Sequence, residues 1–164
     1  MTPEPLTPPT PGRRSAMQQQ RVKDTEPEMR LRRALTARRV GYRLHRPLLE
    51  DRRRTTDIVF MGAKVAVDVR GCFWHGCPDH CRRGSANSAW WNAKLEANIA
   101  RDEDSERRLT EAGWLVIVVW EHDDPDEAAE RIMTAVNARR PRREAVEEAT
   151  REERLEAWER LYGR

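Results

Sequence analysis

All three cysteines of this chain and two of its four histidines fall within ten residues, Cys72-Phe73-Trp74-His75-Gly76-Cys77-Pro78-Asp79-His80-Cys81. Gaps of four and three residues between the thiols are close to the spacings by which a short loop wraps thiolates around a tetrahedral zinc ion. The segment therefore predicts a metal-stapled loop on a reduced, intracellular protein rather than a disulfide framework. Phe73, Trp74 and His75 lie between the first two thiols. A purely structural zinc loop has no need of two bulky aromatics and a titratable imidazole, so the same segment is expected to meet a substrate.

At 164 residues the chain is long enough for one well-buried domain and too short for two ordinary ones. Charged residues make up 36% and the formal net charge is +3, but the basicity is uneven. Arg13-Arg14, Arg30-Leu31-Arg32-Arg33, Arg38-Arg39 and Arg52-Arg53-Arg54 all lie in the first third, where an excess of cations favours a polyanion such as nucleic acid. No run of 18 apolar residues and no hydrophobic signal core is present, which predicts a soluble, cytoplasmic protein without a membrane.

Residues 1–16 hold five of the ten prolines and read as a disordered arm. Thr25-Glu26-Pro27-Glu28 supplies a cap residue followed by a first-turn proline, and Met29, Leu31, Leu35 and Val40 form a stripe at helical spacing; a helix is predicted from about Pro27 to Arg38 or Arg39. Gly41 to Thr55 reads as basic and irregular. Asp57-Ile58-Val59-Phe60 and Lys64-Val65-Ala66-Val67-Asp68-Val69, separated by Gly62, predict a hairpin turning at the glycine. A long helix should run from about Ala89 to Ala112 and stop at Gly113. The unbroken run Trp114-Leu115-Val116-Ile117-Val118-Val119-Trp120 predicts a strand buried on both faces. Asp124-Pro125 opens another helix to about Ala138, and residues 141–164 form a last, charged one. Helix, strand, strand, helix, strand, helix is an α/β domain with a central mixed sheet, spanning about residues 17–140.

Asp57 opens one strand, and Asp68-Val69-Arg70 lies on the next. Positions two apart share a face of a strand, so Asp57, Asp68 and Arg70 can meet at one sheet edge. Hard oxygen ligands there would suit magnesium and a phosphate, with a cation steadying the transition state. Exposed charges at strand ends are the plainer reading of this pattern taken alone.

Joined to the cysteine segment, the pattern is more specific. Gly71-Cys72-Phe73-Trp74-His75-Gly76-Cys77-Pro78 resembles the hallmark of the very-short-patch repair (Vsr) DNA mismatch endonucleases. Other pieces agree in order: Thr25-Glu26-Pro27-Glu28, Asp57 fifteen residues before Cys72, Trp91 with Asn98 and Arg101-Asp102, Glu111-Ala112-Gly113-Trp114, and Trp120-Glu121-His122. The likeness spans roughly residues 14–138. It implies a restriction-endonuclease-like core that uses Mg2+ and a structural Zn2+ to nick double-stranded DNA 5′ of the mispaired T in a T:G mismatch, the product of 5-methylcytosine deamination. A bacterial, nucleoid-associated monomer, alone or with mismatch-repair proteins, is the implied setting.

By position the resemblance makes Asp57 the magnesium carboxylate and the Val69 carbonyl the second protein ligand. His75 becomes the general base, a role suited to an imidazole, Asp102 orients a catalytic histidine, and Glu28 reaches the site through water. Two positions depart from the family: Asp68 stands where an aromatic is usual, and Arg70 where His or Asp is usual. Asp68 is accordingly read as an added metal ligand and Arg70 as the cation of the broader nuclease pattern. For zinc the resemblance adds His122 to Cys72 and Cys77, with His80 or Cys81 as the fourth ligand. It implies that Phe73, Trp74 and Trp91 wedge into the base stack, that Met17 enters from the opposite groove, and that Arg14 and Arg21 track phosphates. The competing expectations are a restriction-type nuclease acting on modified or matched duplex, and a zinc-stapled DNA-binding module without catalysis.

Overall fold

A computed structural model describes residues 23–81, 88–140, 151–153 and 155–156. Helix α1 runs Glu26–Ala37, followed by strand β1 (Arg43–Arg46), strand β2 (Thr56–Phe60), a short 3-10 turn (Met61–Ala63) and strand β3 (Val65–Arg70). Helix α2 (Ser88–Glu111), strand β4 (Leu115–Trp120) and helix α3 (Pro125–Arg139) complete the order. The four strands form one mixed sheet in the order β1-β2-β3-β4. The first two pairings are antiparallel and β3–β4 is parallel, joined through α2 as a crossover.

Alternation along the strands divides the sheet into two faces with different duties. Ile58, Phe60, Val65, Val67 and Val119 join Leu31 and Leu35 of α1 and Ala128, Ala129, Ile132 and Val136 of α3 in one core. Each fully buried Leu or Ile there contributes about 1.5–3 kcal/mol. The intervening residues, Asp57 on β2 and Asp68 and Arg70 on β3, belong to the opposite face. The register pairs Ile58 with Val67, which carries Asp57 and Asp68 to neighbouring positions on that face.

Helix α1 starts with Thr25 at its cap and Pro27 in the first turn, and α3 starts where the Asp124 carboxylate accepts the N–H groups of Asp126 and Glu127. Glu28, Leu31 and Leu35 share a stripe at i, i+3, i+7, which turns Glu28 inward with the leucines; it is 2% exposed. Helix α2 ends where Gly113, at φ +83, donates to the Thr110 carbonyl and Trp114 donates to that of Leu109. Only glycine adopts that left-handed conformation without strain.

Two expectations need correction. The stretch Gly41–Thr55 is not wholly irregular: Arg43–Arg46 pairs with β2 as the edge strand β1. The hairpin turns through Gly62, as expected, within the 3-10 turn Met61–Ala63. Lys64 is the left-handed residue, at φ 48, donating to the Met61 carbonyl. Finally, β4 is not buried on both faces; Val119 alone of its residues is buried and Leu115 is 37% exposed. Among the described residues β4 pairs only with β3, so its apolar run has a neighbour strand on one side only. The arm at 1–16, with Met17, Arg14 and Arg21, lies outside the described residues, as does most of 141–164. Among the described residues, no helix is long and apolar enough to cross a membrane.

Candidate active site

A cavity of about 350 Å³ opens on the second face of the sheet, lined by His45, Asp57, Asp68, Val69, Arg70, His75, Arg101 and Asp102 among others. Asp57 is anchored by the Val69 N–H, which donates to its Oδ2 at 2.8 Å. Burial pushes the Asp57 carboxyl up to about 6; that hydrogen bond opposes the rise, the Glu28 charge adds to it, and His75 and Arg70 pull it back. Asp68 is pushed further, to about 7, by burial first and then by the charge of Asp57, with Arg70 opposing. Two adjacent carboxylates that resist ionising together are what a divalent cation would relieve.

Arg70 is 8% exposed and fully engaged with acids. Its guanidinium lies 2.7 Å from Glu106 Oε1, 3.5 Å from Asp68 Oδ2 and 3.9 Å from Asp102 Oδ2. The side chain thus ties β3 to α2. His75 enters from the loop after β3, and its Nδ1 lies 2.6 Å from Asp102 Oδ2. The carboxylate accepts, so the hydrogen sits on Nδ1 and Nε2 is left as the basic nitrogen.

The loop that carries His75 is held at many points. Trp74 and His75 N–H groups donate to the Gly71 carbonyl, Cys77 N–H to that of Cys72 and Cys81 N–H to that of Cys77. Glu121 accepts from the Cys72 N–H at 2.9 Å, and Asn98 donates to the Trp74 carbonyl at 3.1 Å. Gly76 has φ +66, and a methyl group there would meet Ile99 Cδ1 at 2.5 Å.

Cys72, Cys77, His80 and His122 place one ligand atom each within 4.8 Å of one another. Cys72 Sγ is 3.0 Å from His122 Nδ1, and Cys77 Sγ is 3.9 Å from the Nδ1 of both histidines. Two thiols and two imidazoles at this separation could hold a metal ion with tetrahedral preference. Burial, then the neighbouring Cys77, pushes the Cys72 thiol up to about 12. His80 is the fourth member of this group, and Cys81 is not part of it.

On the outer side of the loop Phe73, Trp74 and Trp91 cluster, with ring centroids 5.1 to 5.9 Å apart, and Phe73 is 40% exposed. Trp90, 4.9 Å from Trp91, extends the cluster, and Lys94 Nζ lies over both Trp74 and Trp90. Sequence reasoning passed over Trp90, Lys94, Glu106 and His45. The alternation of Tyr42 and Leu44 with Arg43 and His45 was the available sign of a strand reaching this site.

Comparison with protein families matches residues 8–83 to the family described as DNA mismatch endonuclease Vsr. Among curated proteins the chain is similar to the type II nicking enzyme V.NaeI of Lentzea aerocolonigenes, 40% identical over 130 residues covering 77% of each chain. It is also similar to the type II nicking enzyme V.XorIIP of Xanthomonas oryzae pv. oryzae, 43% identical over 66% of this chain and 79% of the relative. With the DNA mismatch endonuclease Vsr of Escherichia coli it shares 32% identity, over 61% of this chain and 63% of the relative.

Proposed function

Since the chain belongs to the Vsr family of DNA mismatch endonucleases and is a DNA endonuclease, we propose that it nicks duplex DNA on the 5′ side of the mispaired T in a T:G mismatch. The observation that carries the reading is the His75–Asp102 pair, 2.6 Å apart, opening on the same cavity as Asp57 and Asp68. The His75 Nε2 takes the proton of the attacking water as general base. Asp102 holds the ring in the tautomer that leaves Nε2 free and stabilises the imidazolium that forms. Asp57 and the Val69 carbonyl, with Asp68 beside them, would hold Mg2+, which supplies charge neutralisation at the phosphoryl oxygens.

Arg70 does not approach phosphate as a free cation in this reading. It is bound to Asp68, Asp102 and Glu106, so it acts as a positioning residue that fixes α2, and with it Asp102, against β3. Cys72, Cys77, His80 and His122 would hold Zn2+ as a closed structural site, keeping the His75 loop rigid. Phe73, exposed at the head of the cluster, with the half-buried Trp74 and Trp91 behind it, would form the wedge, which favours a mispair because its weaker stacking costs less to open. Met17, Arg14 and Arg21 complete the proposed DNA contacts. The protein acts on DNA as a monomer, in the cytoplasm; mismatch-repair proteins would follow the nick.

Duplexes of identical sequence carrying T:G, C:G or 5-methyl-C:G, incubated with protein and MgCl2 and resolved strand by strand, test the proposal. A nick only in the T strand of the T:G duplex, just 5′ of the T, is expected. Equal cutting of the matched duplexes would overturn it in favour of a restriction-type nuclease.

A further inference from the structure

The turn that follows β4 brings His122 to the cysteine cluster, and the residue after it is an acid. His122 Nδ1 faces the thiols, 3.0 Å from Cys72 Sγ and 3.9 Å from Cys77 Sγ, which leaves Nε2 on the far side of the ring. There Asp123 Oδ1 stands 3.5 Å from Nε2. The other carboxylate oxygen is already taken: Oδ2 accepts the Trp120 N–H at 3.1 Å and the Arg131 guanidinium at 3.3 Å. The Asp123 N–H in turn donates to the Trp120 carbonyl at 2.9 Å. The turn closes on itself, and the carboxylate is held against the ring.

We propose that Asp123 is a positioning residue of the zinc centre, holding the His122 ring so that Nδ1 presents its lone pair to the ion. The inference rests on the reading of Cys72, Cys77, His80 and His122 as a zinc site, and goes beyond it by naming the group that makes His122 a competent ligand. A neutral imidazole carries its hydrogen on one nitrogen and its lone pair on the other, and nothing in the ring itself decides which. A carboxylate opposite Nε2 decides it: the hydrogen is drawn to Nε2 and Nδ1 is left as the donor atom. The same contact restrains the swing of a side chain that is 31% exposed and otherwise free on its outer side.

The acid is tied in its turn to the framework. Arg131 of α3 donates both to Asp123 Oδ2 and to the Val118 carbonyl of β4, each at 3.3 Å. On the other side of His122, Glu121 accepts the Cys72 N–H at 2.9 Å, and its own N–H donates to the Arg70 carbonyl at 2.9 Å. The turn therefore grips the cysteine loop twice, through Glu121 at the main chain and through His122 at the metal position. His75 rides on that loop, so a His122 ring left to rotate would slacken the support of the catalytic histidine.

Zn2+ is the probe, its affinity measured on the full-length protein by competition with a chromogenic chelator, in a double-mutant cycle. In Asp123→Asn the amide oxygen keeps the Trp120 N–H and Arg131, which turns the NH2 toward Nε2 and sets donor against donor. A loss of about 10- to 100-fold in zinc affinity is expected, with the circular dichroism of the folded protein unchanged. Asp123→Ser, whose hydroxyl can still accept the Trp120 N–H, is expected to show the same loss and guards against one variant failing to fold. His122→Cys supplies a thiolate with no second nitrogen to orient, and in that background Asp123→Asn should alter the affinity by less than about twofold. An equal loss in both backgrounds would overturn the proposal, because Asp123 would then serve the turn alone; an unchanged affinity with His122 intact would overturn it as well. A wild type that binds no Zn2+ would overturn the zinc reading together with this inference, so the two failures are told apart, and none of these outcomes depends on mismatch preference.

Discussion

His75 reaches the cavity with Nδ1 already committed to Asp102 at 2.6 Å; in the proposed mechanism the acid is a positioning residue, whose loss leaves the base in place but wrongly oriented. Asp102→Asn is expected to lower the single-turnover nicking rate by about 10²–10⁴-fold with duplex binding unchanged; a loss under tenfold would remove His75 from the role of base. Asp68 offers a test that needs no DNA. Its carboxyl is held at about 7 in the folded protein, against about 3.9 in an unfolded chain. At pH 3 or below the group is mostly neutral in both states; as pH rises toward 7 the unfolded chain ionises first, and stability is lost. In magnesium-free buffer, Asp68→Asn should therefore gain on the wild type as pH rises from about 3 to 8, by up to about 4 kcal/mol in urea unfolding. A difference between the two proteins that stays flat with pH would show that burial does not hold this proton.

The loop after β3 depends as an element on one glycine. Gly76 has φ +66, and a Cβ there would strike Ile99 Cδ1 of α2 at 2.5 Å, so Gly76→Ala meets both backbone strain and a clash. A loss of about 1–3 kcal/mol, read from the thermal midpoint, and a fall in bound metal at the cysteine cluster are expected; unchanged stability would mean that the loop repacks freely. The loop was legible in the sequence because metal-ligand spacing is local, and the helices were legible because caps and stops such as Thr25, Pro27, Asp124 and Gly113 are local too. What lies across space was not. No local signal says that β4 would be an edge strand, since an apolar run looks the same whether one partner strand or two flank it. Nor does the spacing of Arg70 foretell that Glu106 on α2 would take its guanidinium. His45 was missed because a short, arginine-rich strand lacks the β-branched composition by which strands are recognised, although its alternation was present.

At the scale of the whole molecule, one face of the sheet is given to the core and the other to chemistry, and the cations gather on the second. Lys23, Arg53, Arg54 and Arg101 all border the cavity, yet they are not equivalent. Arg54 is bound to Asp104 at 2.5 Å, and Arg101 donates to Asn98. Arg53 is exposed, and its backbone N–H, not its guanidinium, bonds Asp51. A phosphate contact releases condensed counterions, so log affinity falls linearly with log salt, by nearly one unit of slope for each phosphate neutralised. Arg53→Ala should therefore reduce the salt slope of duplex binding by about one while weakening mismatched and matched duplexes alike. Arg54→Ala should change the slope less, because its charge is already spent on Asp104. Fluorescence anisotropy from low to moderate salt measures both slopes. Equal slopes for Arg53→Ala and the wild type would place the DNA backbone elsewhere, away from the cavity rim.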